Sequence, residues 1–85
     1  MEIHRLKTLP TFFEQTRIGK KTFELRKNDR NFQVGDWLKL EEHTGGAYTN
    51  RCVVAEVVYI LSGVPEFGLA QDCCIMAIKV LFILP

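Results

Sequence analysis

Hydrophobic and polar residues alternate at residues 3–8 and 22–27 with the period of two that is typical of β-strands, whereas residues 37–42 alternate poorly. Residues 52–61 are apolar on both faces except at Glu56. Such a strand belongs in a closed sheet or in a sheet covered by a helix. The last apolar run predicts a central strand that continues into a second short strand or a tail. The predicted strands are residues 3–8, 22–27, 37–42, 52–61 and 73–84.

One helix is predicted near the start of the chain. Thr8 followed by Pro10 is a helix-start signal, because proline needs no N–H partner in the first turn. The helix should run from Pro10 to Ile18, with Phe13 and parts of Leu9, Phe12 and Ile18 in the core. Gly19 ends it, since glycine readily adopts the left-handed conformation that closes a last turn. This places Lys20 and Lys21 in the bend before the next strand.

The remaining segments are predicted to be turns and loops. Residues 28–36 are rich in turn formers, and residues 43–50 predict a hairpin connection with two glycines. Residues 62–72 predict a loop in which Phe67 and Leu69 reach back to the core. The element order therefore predicts one domain over residues 1–85, of mainly-β α+β class. Its expected architecture is a small closed β-barrel with one early helix.

Charge is distributed unevenly between the two parts of the chain. The net charge of the 85 residues is +1, but residues 1–30 hold eight Lys and Arg against four acids, and residues 31–85 hold three against six. A local positive field of this kind favours an anionic ligand and argues against a protein that coats duplex nucleic acid. The 47% hydrophobic content argues against disorder.

Several other classes of function find no support in the composition. No apolar segment has the length of a signal peptide or a membrane span, which predicts a cytoplasmic protein without a membrane partner. The cysteines are odd in number, with Cys73 and Cys74 adjacent, so they are read as core thiols. His4 and His43 lack acidic or cysteine companions at ligand spacing. No metal and no cofactor are predicted.

The densest candidate chemistry lies between Gly19 and Arg30. In the strand at 22–27, Phe23 and Leu25 are expected to face the core, while Glu24 and Arg26 share the opposite face and form the wall of a binding site. Arg26 could present a planar donor fork to an anion or a base edge, and Glu24 could accept from an amino group or a hydroxyl. The alternative is a surface ion pair of little consequence. The predicted ligand-binding residues are Lys20, Lys21, Glu24, Arg26, Lys27 and Arg30.

Lys21 has two further interpretations. It could bind a phosphate or a carboxylate, and if desolvated it could act as a nucleophile or a base. The alternative is an ordinary solvated lysine. Lys27 and Arg30 are expected at the rim of the site or in a turn. Trp37 and Tyr48 are the aromatic residues considered for stacking on a base, the other aromatics being assigned to the core.

The spacing Gly19-x-Lys21-x-x-Glu24-x-Arg26 resembles the G-x-K-x-x-E-x-R signature of the ASCH domain, the activating-signal-cointegrator homology family. The surrounding sequence is similar to the short stand-alone bacterial and phage members of that family over nearly the whole chain. The resemblance implies a PUA-like β-barrel with a cleft for RNA or a nucleotide-like ligand beside the signature.

One enzymatic branch of that family hydrolyses the amide of an acetylated cytidine nucleoside. It uses the signature lysine, a threonine three residues later and a downstream glutamate. Lys21 matches the lysine, but Glu24 stands at the threonine position, and the third residue could be Glu56, Glu66 or neither. Glu24 could instead serve as a base for water.

Three functions therefore remain open at this point. The first is an RNA- or nucleotide-binding module. The second is a small amidohydrolase acting on an acylated nucleoside, with Lys21 and Glu24 as catalytic residues. The third is an interaction domain that forms a homodimer through its apolar residues 80–84.

Overall fold

A computed structural model describes all residues from 1 to 85 and shows one helix and five strands. Most residues lie in strands, which confirms the mainly-β α+β class. The elements are β1 (Ile3–Thr8), α1 (Pro10–Arg17), β2 (Phe23–Lys27), β3 (Trp37–Thr44), β4 (Ala47–Val64) and β5 (Leu69–Leu84). A short 3₁₀ turn, Pro65–Phe67, connects β4 to β5.

The five strands form one mixed sheet in the order β1-β3-β4-β5-β2. β1 pairs in parallel with β3, and the other three ladders are antiparallel. β1 and β2 flank α1 in the sequence, and they are the two edge strands of the sheet. The connection through α1 takes the chain from one edge to the other.

The predicted closed barrel is wrong, because no backbone ladder joins β1 to β2. In a flat sheet these edges would be roughly 19 Å apart, at about 4.8 Å per strand spacing. Arginine side chains nevertheless bridge them: Arg26 donates to the Lys7 carbonyl at 3.1 Å, and Arg30 to the Arg5 carbonyl at 2.8 Å. The sheet is therefore curled, with side chains instead of backbone hydrogen bonds across the remaining gap.

The connections are shorter than the sequence predicts. The hairpin between β3 and β4 turns at Gly45 and Gly46 alone, and most of residues 62–72 lies in β4 and β5. β5 is a single strand from Leu69 to Leu84, where the sequence predicted a central strand followed by a second short strand or a tail. Phe67 is 86% exposed, so its predicted contact with the core is wrong. Pairing with a long neighbouring strand extends these segments beyond the limits that local turn residues indicate.

The core lies on the side of the sheet that α1 covers. It contains Phe13 from the helix and Leu38, Leu40, Val53 and Met76 from the strands, all fully buried. Leu9, Phe12 and Ile18 are exposed, so the expectation that they contribute to the core is wrong. An eight-residue helix presents one narrow face, and consecutive residues such as Phe12 and Phe13 point about 100° apart.

β2 keeps the predicted alternation but with its two faces exchanged. Glu24 is 2% exposed, whereas Phe23 and Leu25 are 47% and 57% exposed. Glu24 pairs across the ladder with buried Met76. The prediction that Phe23 and Leu25 fix this strand to the core is therefore wrong. The carboxylate can be buried because cations neutralise it, as described below.

The C-terminal part of β5 has a free edge. β2 begins at Phe23, opposite Ala77, and the last hydrogen bond on that side joins the Ile78 amide to the Thr22 carbonyl. Residues 80–84 therefore pair with β4 alone, and Phe82 is half exposed. Dimerisation through this edge stays a prediction.

No helix in the structure has both the length and the apolar character needed to cross a bilayer.

Candidate functional site

A cleft of about 610 Å³ opens between the end of β1, α1, the turn after the helix and β2. Its size is typical of a site for a small molecule. It lies beside the gap between the two sheet edges, where no backbone pairing fills the space. The lining residues are Lys7, Thr8, Leu9, Phe12, Gln15, Lys20, Lys21, Phe23, Glu24, Leu25 and Arg26.

The turn after α1 brings the two lysines to the cleft. Gly19 has φ +87°, a left-handed conformation that glycine adopts without steric cost. The chain then folds back so that the amides of Lys20 and Lys21 both donate to the Gln15 carbonyl, each at 2.9 Å. Lys21 thus reaches the beginning of β2. The prediction that Gly19 ends the helix and delivers these lysines is confirmed.

Glu24 is the centre of the polar part of the cleft. Lys21 Nζ donates to one carboxylate oxygen at 2.6 Å, and Arg26 Nε donates to the other at 3.0 Å. The Glu24 side chain is only 3% exposed. A buried carboxylate between two cations holds both of them in defined positions. The ion pair predicted between Glu24 and Arg26 is therefore present, and Lys21 belongs to it as well.

This arrangement bears on the hydrolytic hypothesis. A general base must accept a proton from water through an oxygen that water can reach. Each Glu24 oxygen already accepts from a cation, and the side chain is buried. In this geometry Glu24 positions Lys21 and Arg26. A catalytic role for Glu24 and Lys21 stays a prediction.

Both cations keep hydrogen-bonding capacity for a ligand. Lys21 Nζ also donates to the Phe23 carbonyl at 2.7 Å, which uses two of its three N–H groups. Arg26 Nη2 donates to the Lys7 carbonyl at 3.1 Å, while its Nη1 makes no hydrogen bond to the protein. The cleft therefore offers N–H donors that are already held in place.

The cleft carries a positive charge. Lys7, Lys20, Lys21 and Arg26 line it together with one carboxylate, Glu24, which gives a formal charge of +3. Partial enclosure strengthens the field of these charges relative to their effect in open water. An anion is the ligand that such a lining favours.

Exposed apolar side chains form the other walls of the cleft. Phe12 and Phe23 are each about half exposed, and Leu9 and Leu25 are more so. Lys21 Nζ lies 4.9 Å from the ring centroid of Phe23 and 5.8 Å from that of Phe12, within cation–π distance. Sequence reasoning assigned both rings to the core. The adjacent pair Phe12-Phe13 on a short helix was the signal that one of them faces outwards.

Two of the predicted ligand-binding residues lie outside the cleft lining. Lys27 is exposed and 3.8 Å from Asp72, and Arg30 bridges to the Arg5 carbonyl. The aromatics considered for stacking are also elsewhere. Trp37 packs against Phe82, and Tyr48 packs against His43. Lys20, Lys21, Glu24 and Arg26 are the predicted residues that the structure brings together.

A buried polar pair away from the cleft was not foreseen from the sequence. His4 Nε2 and Asp36 Oδ2 are 2.8 Å apart, and both side chains are 5% exposed. Burial of the Asp36 carboxyl opposes its ionisation, but hydrogen bonds from His4 and from the amides of Glu2 and Gln33 outweigh this and lower its pKa. The partners are 32 positions apart in the sequence, so no local spacing indicates the contact.

The sequence of this chain has relatives among known proteins. Residues 3–78 match the family described as "Domain of unknown function (DUF3850)". This chain belongs to the DUF3850 family. The matched range begins with β1 and includes every residue of the cleft, so the Lys21–Glu24–Arg26 cluster lies within the DUF3850 domain.

One curated relative of this DUF3850 protein comes from Escherichia phage P2. It is the "Uncharacterized 12.9 kDa protein in GpA 3'region", which is 41% identical over 56 residues. The alignment covers 66% of this chain and 51% of the phage protein. The chain thus spans about half the length of the curated relative that it matches.

Proposed function

We propose that this DUF3850 protein is a binding module that takes RNA or a nucleotide-like ligand in the cleft beside α1. The observation on which the proposal rests is that free N–H donors of Lys21 and Arg26, held by buried Glu24, lie next to two exposed aromatic rings. A nucleotide combines the two features that such a cleft complements, namely oxygen acceptors with negative charge and a flat aromatic base.

The polar part of the cleft suits a phosphate. Charge-assisted hydrogen bonds from lysine and arginine to phosphate oxygens are short and strong, and the guanidinium group adds planar geometry. Because Glu24 already orders Lys21 and Arg26, little side-chain entropy remains to be lost when a ligand binds. Lys20 and Lys7 add to the attraction at longer range.

The apolar part suits a base. Single-stranded nucleic acids are commonly bound by stacking of bases on aromatic side chains, worth about 1–3 kcal/mol for each base. Phe12 and Phe23 are exposed at the walls of the cleft and are available for such contacts. The cleft is open to solvent at the gap between β1 and β2, so a polymer as well as a free nucleotide has access.

The resemblance to the ASCH domain supports the same proposal. The signature residues Lys21, Glu24 and Arg26 meet in one hydrogen-bonded cluster at the cleft. A relationship with PUA-like domains is part of the proposal, with the curled sheet as the counterpart of the barrel and α1 beside its open seam. This sheet differs from a closed barrel because the Arg26 side chain, and no backbone ladder, links its two edge strands.

The proposal is tested by titrating the protein with short single-stranded RNAs and nucleotides over a range of salt concentrations. Wild-type protein should bind, and Lys21→Ala and Arg26→Ala should each weaken binding. Loss of one phosphate-contacting cation should reduce the slope of log K against log salt by about 1. Lys39→Ala removes an equal charge outside the cleft and should bind like wild type.

Two results would contradict the proposal. The first is no binding to any RNA or nucleotide at low salt. The second is equal weakening by Lys39→Ala and the two cleft variants, which would indicate a diffuse charge effect. Acetylated cytidine belongs in the same set of ligands, because release of acetate that disappears in Lys21→Ala would establish the hydrolytic alternative instead.

A further inference from the structure

We infer that the ligand of the cleft is a nucleic-acid strand, and that the phosphate next to the one bound in the cleft binds at Arg30, in the seam between β1 and β2. The seam is the gap between the outer edges of these two strands, which the side chains of Arg26 and Arg30 bridge. This inference rests on the proposed function. It adds a second phosphate subsite, which a nucleoside monophosphate cannot fill while its own phosphate occupies the cleft.

The two arginine bridges are neighbours along the seam. Arg26 Nη2 donates to the Lys7 carbonyl at 3.1 Å. Arg30 Nη1 donates to the Arg5 carbonyl at 2.8 Å, farther from α1. The two accepting carbonyls belong to alternate residues of β1, so they lie roughly 6.6 Å apart at about 3.3 Å per residue. One sugar–phosphate repeat can span this distance, so Arg30 is placed to meet the phosphate that follows the one at Arg26.

Arg30 has most of its hydrogen-bonding capacity free. The bond to the Arg5 carbonyl uses one of the five N–H groups of the guanidinium. The side chain makes no other hydrogen bond and no ion pair, and the residue is exposed. A main-chain carbonyl thus holds the guanidinium in place without neutralising its charge. An arginine held in this way presents a preorganised donor fork to a phosphate.

Cations without a carboxylate partner are concentrated at the cleft and the seam. Seven of the eleven lysines and arginines form ion pairs, namely Arg5, Arg17, Lys21, Arg26, Lys27, Lys39 and Arg51. Of the other four, Lys7 and Lys20 line the cleft and Arg30 bridges the seam. Only Lys79 lies elsewhere, on β5. The unneutralised positive charge therefore continues from the cleft along the seam.

The amount of charge on this path suits more than one phosphate. The cleft lining has a formal charge of +3, and Arg30 raises it to +4. A nucleoside monophosphate carries a charge of only about −2 at pH 7, so it leaves roughly half of this charge unmatched. A strand brings a further negative charge with each phosphate, and each additional contact releases counterions and adds affinity.

The test compares uridine 5′-monophosphate, uridine 5′-diphosphate and the 5′-phosphorylated dinucleotide pUpU. The diphosphate and pUpU have the same number of phosphates and nearly the same charge, but only pUpU separates them by a nucleoside. The adjoining phosphates of the diphosphate share an oxygen and are too close together to reach Arg26 and Arg30 at once. We expect pUpU to bind about tenfold more tightly than the diphosphate in calorimetry at fixed salt.

Variants of Arg30 assign this gain to its side chain. Arg30→Gln removes the charge but keeps an N–H donor for the Arg5 carbonyl, so the preference for pUpU over the diphosphate should fall severalfold. The slope of log K against log salt for pUpU should also fall by about 0.7. Arg30→Lys keeps the charge and should keep most of that slope.

The matched control is Lys79→Gln. Lys79 is also exposed and without an ion pair, but it lies on β5, which borders the edge of β2 opposite to the seam. Its replacement should keep the wild-type ratio of the two affinities. Thermal melting of each variant establishes that it is folded before its ratio is used.

Each outcome has a separate meaning. If none of the three ligands binds, the proposed function fails and the inference fails with it. If they bind but pUpU gains nothing over the diphosphate, the inference is overturned while the proposed function stands. The same conclusion follows if the gain persists in Arg30→Gln, because the second base would then provide it. Equal losses in Arg30→Gln and Lys79→Gln would also overturn the inference, since they would indicate a diffuse charge effect.

Discussion

Replacement of Glu24 by glutamine should destabilise this protein far more than replacement of any other carboxylate in contact with a lysine or arginine. The change preserves the shape of the side chain but removes the negative charge that Lys21 and Arg26 share. Removing one partner of a fully buried ion pair costs about 3–5 kcal/mol. The Lys21 and Arg26 side chains retain 15% and 26% exposure, so water screens part of the loss. We expect a decrease in the free energy of unfolding of about 2–3 kcal/mol.

Urea unfolding monitored by circular dichroism measures this change. With a slope of about 1 kcal/mol per molar urea for a domain of this size, the midpoint should fall by roughly 2–3 M. A double-mutant cycle with Lys21→Met isolates the contact at 2.6 Å and should give a coupling energy of about 1–3 kcal/mol. The matched control is Glu14→Gln, which also contacts an arginine but is 43% exposed. Its effect should be far smaller.

The prediction is refuted if Glu24→Gln lowers the free energy of unfolding no more than Glu14→Gln does, while the dependence of that free energy on urea concentration is unchanged. Such a result would mean that Lys21 and Arg26 are held by their contacts with main-chain carbonyls, and that the carboxylate does not position them. A loss of stability without any change in nucleotide affinity would separate the two roles of the cluster. Glu24 would then be structural only.

Three further predictions concern regions outside the cleft. The pKa of Asp36 is lowered in the folded state, so the ionised carboxylate should stabilise the fold fully above about pH 5, and this stabilisation should be lost as the pH falls through the folded-state pKa. Asp36→Asn should therefore reduce the loss of unfolding free energy in acid, as measured by urea unfolding. Gly63→Ala should lower the free energy of unfolding by about 1–3 kcal/mol, because a Cβ there would collide with the main-chain oxygens of residues 70 and 71. The control is Ser62→Ala at the exposed neighbouring position, which should unfold like wild type. If residues 80–84 mediate dimerisation, light scattering should show a dimer that Phe82→Lys converts to a monomer, and a strict monomer at high concentration would exclude the idea.

β2 shows what the local alternation of residues can and cannot predict. Alternation along residues 22–27 correctly predicted a strand and correctly placed Glu24 and Arg26 on one face. It assigned the wrong face to the core, because a period of two distinguishes the two faces without saying which of them is covered. The rule that apolar residues go inside failed here because two cations neutralise Glu24 and make its burial possible.

Residues close in sequence were predicted better than contacts between distant ones. The helix start at Pro10, the turn at Gly19 and the delivery of Lys20 and Lys21 follow from φ preferences and missing N–H groups, which are local properties. The bridge from Arg26 to Lys7, by contrast, depends on the curl of the whole sheet. The same is true of the pair between His4 and Asp36.

Local patterns in the sequence were enough to predict the class of the fold, the approximate positions of the strands and the cluster of charges between Gly19 and Arg26. These follow from periodicity and from charges only a few residues apart. The open sheet, the cleft lined by Phe12 and Phe23, and the burial of Glu24 with both oxygens engaged depend on contacts between residues distant in sequence. Strand order and curvature bring distant groups together, and they result from the packing of all strands at once.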